Sequence, residues 1–127
     1  MAASHRHSIL VVDDDEDTRS GVAELLRLDG YEIAEAGDGQ EALRRLRAGL
    51  RPCLVLLDLN MPGTSGWEFR ALQLNDRRIA DIPVVAFSGL DGLEHQAKML
   101  QLAGFLSKPV DFDRLLAAIQ RTCRLAA

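Results

Sequence analysis

The sequence predicts an α/β protein: a doubly wound, five-stranded parallel sheet in the order 2-1-3-4-5 with five flanking helices. Three observations predict it. Short apolar runs alternate regularly with amphipathic stretches, the pattern of strand–helix–strand units with right-handed crossovers. The runs Ser8–Val12, Cys53–Leu57 and Ile82–Phe87 offer no polar face, as strands covered on both sides require. Tyr31–Ala36 instead alternates acidic and apolar residues, which marks a half-exposed edge strand.

Each element follows in order. Ser8–Val12 reads as the first strand and ends in the acids Asp13-Asp14-Asp15-Glu16-Asp17. Thr18–Asp29 reads as a helix burying Val22, Leu25 and Leu26, with Gly30 as its stop. After the Tyr31–Ala36 strand, Asp38 and Glu41 stand at capping-box spacing ahead of a helix burying Ala42, Leu43 and Leu46, closed by Gly49. The central strand runs from Cys53 to Asp58, where Pro62 and Gly63 forbid its continuation. Gly66–Leu74 reads as the third helix, with Trp67, Phe69 and Leu72 as its bulky apolar members. Ile82–Phe87 is the fourth strand, ending at Ser88-Gly89, and Gly92–Leu102 the fourth helix. Phe105–Ser107 makes a short fifth strand before Lys108-Pro109. Asp111 caps a last helix that buries Leu115, Leu116 and Ile119. The alternating second strand and short fifth belong at the edges, which fixes the order.

The length fits one domain over residues 1–127, with a core of about 8–124 and a flexible polar tail over 1–7. A net charge of -4 and pI near 5.3 argue against a nucleic-acid face. The basic clusters Arg44-Arg45-Arg47 and Arg77-Arg78 read as solvated surface. No segment has signal-peptide form or transmembrane length. Cys53 and Cys123 are far apart, with no metal-ligand spacing near either, so they read as packed free thiols in a reducing cytoplasm. His5 and His7 read as part of a frayed tail rather than as metal ligands.

In this topology every strand opens its carboxyl end onto one rim, where ligands of open α/β sheets bind. The rim receives Asp13, Asp14, Asp58, Ser88 and Lys108. Each residue alone has an ordinary reading: Asp58 as a turn or N-cap residue, Ser88 as a helix cap, Lys108 as an exposed lysine. Their conjunction is what points to chemistry. Crowded carboxylates repel one another and suit a hard cation such as Mg²⁺. A carboxylate beside a metal, a hydroxyl and a lysine is a nucleophile for phosphoryl transfer, giving an aspartyl phosphate. No Gly-rich phosphate loop is present, which argues against a nucleotide triphosphatase.

Ile9-Leu10-Val11-Val12-Asp13-Asp14-Asp15, Leu56-Leu57-Asp58-Leu59-Asn60-Met61-Pro62-Gly63, Val84-Val85-Ala86-Phe87-Ser88-Gly89 and Phe105-Leu106-Ser107-Lys108-Pro109 together resemble the receiver domain of bacterial two-component response regulators, a flavodoxin-like fold. The likeness runs from about Ser8 to Arg124 and is closest to single-domain, chemotaxis-type receivers. It implies that Asp58 accepts a phosphoryl group from a histidine kinase or histidine phosphotransfer protein. It further implies Mg²⁺ held by Asp14, Asp58 and the backbone carbonyl of Asn60, with Asp13 acting through water. Lys108 is then the phosphoryl partner, Ser88 and Phe105 the switch residues, and Pro109 a cis proline. The readout face is the fourth helix, fifth strand and last helix, which would control an effector protein as a monomer or a phosphorylation-dependent dimer. The domain so implied is no enzyme beyond its own phosphorylation and dephosphorylation, and contacts neither nucleic acid nor membrane.

Three departures from the family pattern stand out. Phe105 replaces the frequent tyrosine, and the Leu102–Phe105 connection is shorter than usual. Leu90, two residues after Ser88, is apolar where the family's hydrolytic water passes, which implies a longer-lived phosphoryl group. Two other readings compete. A phosphatase of the haloacid-dehalogenase type wants a carboxylate two residues after its nucleophile, and Asn60 stands there. A phosphate-independent interaction module leaves the acids and Lys108 without a purpose.

Overall fold

The computed structural model describes residues 7–60, 65–89 and 98–126. Five parallel strands, β1 (Ser8–Val12), β2 (Glu32–Ala36), β3 (Leu54–Asp58), β4 (Val84–Ser88) and β5 (Gly104–Ser107), form one sheet in the order 2-1-3-4-5. Registers such as Val11 opposite Glu35 and Leu56, and Asp58 opposite Phe87, align the carboxyl ends along one rim. Around the sheet lie α1 (Glu16–Leu28), α2 (Gly39–Arg47), α3 (Gly66–Leu74) and the C-terminal α4 (Phe112–Ala126). Of the helix predicted over Gly92–Leu102, residues 92–97 lie outside the described residues, as do His5, Met61, Pro62, Gly63 and Leu90. Among the described residues no helix is long and apolar enough to cross a membrane.

Side-chain alternation along the strands builds two cores. Leu10, Val12, Val55, Leu57, Val84 and Ala86 point to one face, under Ala42, Leu43 and Leu46 of α2 and Phe69 of α3. Ile9, Val11, Leu54, Leu56, Val85 and Phe87 point to the other, under Leu26 of α1 and Leu115, Ala118 and Ile119 of α4. Every residue of β3 and β4 is buried, which is why both read as unbroken apolar runs.

Several local expectations change. α1 begins at Glu16, two residues early, because Glu16 and Asp17 suit the positive end of a helix. Its buried members are Ala23 and Leu26, whereas Leu25 is 48% exposed. Glu41 bonds back to the Gly37 amide, while the Asp38 carboxylate caps the Glu41 amide. Gly30 and Gly49 take positive φ after α1 and α2, the conformation a C-terminal stop requires. His7 does not belong to a loose tail: its carbonyl accepts from the Glu32 amide, extending the β1–β2 pairing.

α3 differs most. Leu72 is 46% exposed, and the helix buries Arg70 and Gln73 instead. The Arg70 guanidinium donates to the carbonyls of Leu100 (2.9 Å) and Gln101 (2.9 Å), to Ile82 (3.4 Å) and to Gln73 Oε1 (2.7 Å). Gln73 in turn donates to the Ile79 and Ile82 carbonyls. These bonds satisfy a loop and a turn that lack ladder partners, so polar side chains serve where an apolar one would leave carbonyls unpaired. We expect Arg70→Met to lower unfolding free energy by about 2–3 kcal/mol in denaturant titration, against less than about 0.5 kcal/mol for Leu72→Ala.

Candidate functional site

The rim forms because three central strands end within one or two residues of a polar group. Asp13 directly follows β1, and its amide is tied to the Ala36 carbonyl at 3.2 Å. Asp58 closes β3 and Ser88 closes β4, both essentially buried. Lys108 follows β5 and is held by its own amide on the Ser88 carbonyl at 2.8 Å. The Lys108–Pro109 peptide is cis. Asp14 is exposed beside them, and Phe105 in β5 packs half-buried against the core on the α2/α3 side.

The carboxylates of Asp13, Asp14 and Asp58 each offer an oxygen within 4.8 Å of the others. Lys108 Nζ stands 3.2 Å from Asp58 Oδ2 and 3.9 Å from Asp13 Oδ2. The ammonium also lies 5.2 Å from the centre of the Phe87 ring, a cation–π contact that steadies it on the rim. Asp58 Oδ1 accepts from the Asn60 amide at 2.9 Å. Asp13 Oδ1 accepts from the Asp15 amide, but its buried Oδ2 has no hydrogen-bond partner among the described residues. Burial pushes the Asp13 carboxyl up to about 6 and the Asp58 charge adds to this, while the Asp15 amide and Lys108 act in the opposite sense. An all-oxygen donor set with one unpartnered buried oxygen fits a small hard cation.

Four supports were not foreseen in the sequence. The Asn60 side chain donates to Ser88 Oγ at 2.5 Å, which ties the loop after β3 to the end of β4. Arg19 of α1 donates to the Asp13 carbonyl at 2.8 Å and pairs with Glu35 at 3.2 Å, holding the end of β1. Ser65 and Glu68 form a capping box that starts α3. Gly66 lets that start approach β3: a Cβ there would lie 2.5 Å from the Asp58 carbonyl oxygen and 2.6 Å from the Leu59 Cα. Of these, only the Ser65/Glu68 spacing and the glycine at 66 leave a sequence signal.

Residues 9–120 match the response regulator receiver domain. The chain is 40% identical over 114 residues to the transcriptional regulatory protein PdtaR of Mycobacterium tuberculosis, covering 88% of this chain and 54% of that protein. It is 35% identical over 116 residues to the CAI-1 autoinducer sensor kinase/phosphatase CqsS of Vibrio cholerae, 88% of this chain and 17% of that one. It therefore spans about half of the first relative and less of the second. Among solved structures, the chemotaxis response regulator CheY4 of Vibrio cholerae superposes with a TM-score of 0.83 at 28% identity, over 92% of this chain and 98% of that one. The response regulator TrrA of Thermotoga maritima, in complex with Mg²⁺–BeF, gives 0.81 at 29% identity, over 91% and 98%.

Two buried carboxylates this close cost stability. In metal-free buffer we expect Asp13→Asn to raise unfolding free energy by about 1–3 kcal/mol, because it removes one buried charge and supplies an amide donor. A decrease in chemical denaturation would show that the charge of Asp13 is already compensated.

Proposed function

The chain belongs to the response regulator receiver domain family, and from that premise we propose that it is a phosphoacceptor switch of a two-component phosphorelay. The carrying observation is the buried Asp58 with Lys108 Nζ 3.2 Å from one carboxylate oxygen and Asp13 alongside. The donor is a phosphohistidine of a sensor kinase or histidine phosphotransfer protein. A carboxylate oxygen of Asp58 attacks phosphorus, the P–N bond breaks, and its electron pair returns to the imidazole. Lys108 holds the phosphoryl oxygens as a point charge. Asp14, Asp58 and the Asn60 carbonyl would hold Mg²⁺, with Asp13 acting through water; when bound, it would supply charge neutralisation for the transferring group. An apolar groove of about 500 Å³, bordered by Val22 of α1, Leu115 of α4 and Lys108, adjoins the lysine that pairs with Asp58 and would seat the donor.

Ser88, now held by the Asn60 amide group, exchanges that partner for the new phosphoryl oxygens, and Phe105 turns inward behind it. Phosphorylation thereby biases a two-state equilibrium of the surface formed by residues 98–102, β5 and α4. That surface controls an effector protein in the cytoplasm, either as a monomer or through a phosphorylation-dependent dimer. The only catalysis is the domain's own phosphorylation and dephosphorylation.

Intact mass after incubation with acetyl phosphate tests the reading. One phosphoryl adduct is expected with Mg²⁺, none in EDTA and none for Asp58→Asn. No adduct under any condition, with Mg²⁺ binding shown separately, would leave a phosphate-independent interaction module. Decay of the adduct tests the apolar Leu90: Leu90→Glu is expected to shorten its lifetime severalfold, and an unchanged lifetime would reject the shielding role.

A further inference from the structure

At the end of the sheet opposite the acidic rim, a second cluster of ligating side chains gathers from three elements. His7 immediately precedes β1, Cys53 immediately precedes β3, and Cys123 lies near the end of α4. Because β1 and β3 are parallel neighbours, their starts adjoin, and the Cys53 amide donates to the Ser8 carbonyl at 2.7 Å. α4 returns over the same face to place Cys123 among the buried residues there, with Cys53 and Tyr31 packed beside it. One imidazole nitrogen and two sulfurs lie within 4.8 Å of one another, and His7 Nδ1 and Cys53 Sγ share a hydrogen bond at 3.2 Å. Neither cysteine is in a disulfide.

We propose that His7, Cys53 and Cys123 form a binding site for a thiophilic d¹⁰ cation of the Zn²⁺ class.

The donor chemistry separates this site from the rim. Thiolate and imidazole select soft or borderline ions, whereas the carboxylates of Asp13, Asp14 and Asp58 select hard ones. Tetrahedral zinc places two sulfurs ~3.8 Å apart and sulfur and nitrogen ~3.5 Å apart, from bonds of about 2.3 and 2.0 Å. The observed separations, all within 4.8 Å, reach that arrangement with side-chain adjustments of at most about 1.3 Å. On binding, each thiol transfers its proton to solvent and the ion replaces the proton now shared by His7 and Cys53. Two thiolates, one neutral imidazole and a dication sum to zero charge, which suits a half-buried position. Three protein ligands leave a fourth position for water. Cys53 also borders an open cleft of about 390 Å³, where Arg51, Pro52 and Cys53 face Asp81, Ile82 and Pro83. A bound ion would fasten the starts of β1 and β3 to the end of α4.

The probe is Co²⁺ titrated into the reduced, tag-free full chain with excess Mg²⁺ present. The expected result is thiolate-to-cobalt absorption that saturates at one equivalent, disappears on adding Zn²⁺ and survives Asp58→Asn. Cys53→Ser should abolish the band and His7→Ala should weaken cobalt binding at least tenfold; both positions are only half-buried, so these variants keep the core intact where Cys123→Ser threatens it. Zn²⁺ should also raise the thermal midpoint of the parent chain by several degrees and leave that of Cys53→Ser unmoved. Absence of the band in a folded, reduced chain would overturn the proposal, as would a band that persists in Cys53→Ser. So would a chain that takes no cobalt when reduced and closes a Cys53–Cys123 disulfide in air.

Discussion

Two carboxylates stand on adjacent strand ends, Asp13 with no exposed surface and Asp58 with almost none, and both face one lysine. Like charges at that range, removed from water, do not stay together without compensation. Lys108 supplies part of it, and the Asn60 and Asp15 amides supply more. Much else in the fold serves to keep this arrangement in place. Arg19 braces the end of β1, and Gly66 lets the start of α3 close against the end of β3. The register of β4 with β5 sets Ser88 opposite Ser107, next to Lys108. Stability given up at the rim is recovered in the two apolar cores on either side of the sheet.

The fold and the rim were legible because both follow from period and punctuation. A strand buried on two faces has to be an apolar run, and a run that ends in Asp, Ser or Lys announces its carboxyl end. The edge position of β2 followed from its alternating acids. Side-chain traffic on the helices was less legible. By type Leu25 reads as buried and Leu72 as one of its helix's bulky apolar members, yet both are exposed while Ala23, Arg70 and Gln73 are buried. Hydrophobicity cannot reveal that a buried position faces unpaired carbonyls and so wants a donor. The same holds for Asn60 and Arg19, whose partners come from distant segments.

The cysteines show the limit of sequence spacing most clearly. Ligand motifs are recognised when both ligands sit on one local element. Cys53 and Cys123 are carried by a strand start and a helix end, and only the closing of α4 over β1 and β3 joins them to His7. The doubly wound sheet therefore has two chemically distinct poles, hard oxygen donors at one and soft sulfur and nitrogen at the other.

Arg70 fastens one edge of the molecule to α3. Its guanidinium bonds the carbonyls of Leu100 and Gln101, the latter at a positive φ of 54° in a residue that is not glycine. A surface turn ordinarily opens and recloses on its own, with amide protons that exchange quickly. This one is anchored to a buried charge on α3, so it opens only when those anchoring bonds break. The segment leading into β5 is thereby tied to α3, so its amide exchange is expected to follow that helix rather than the fraying of a loop.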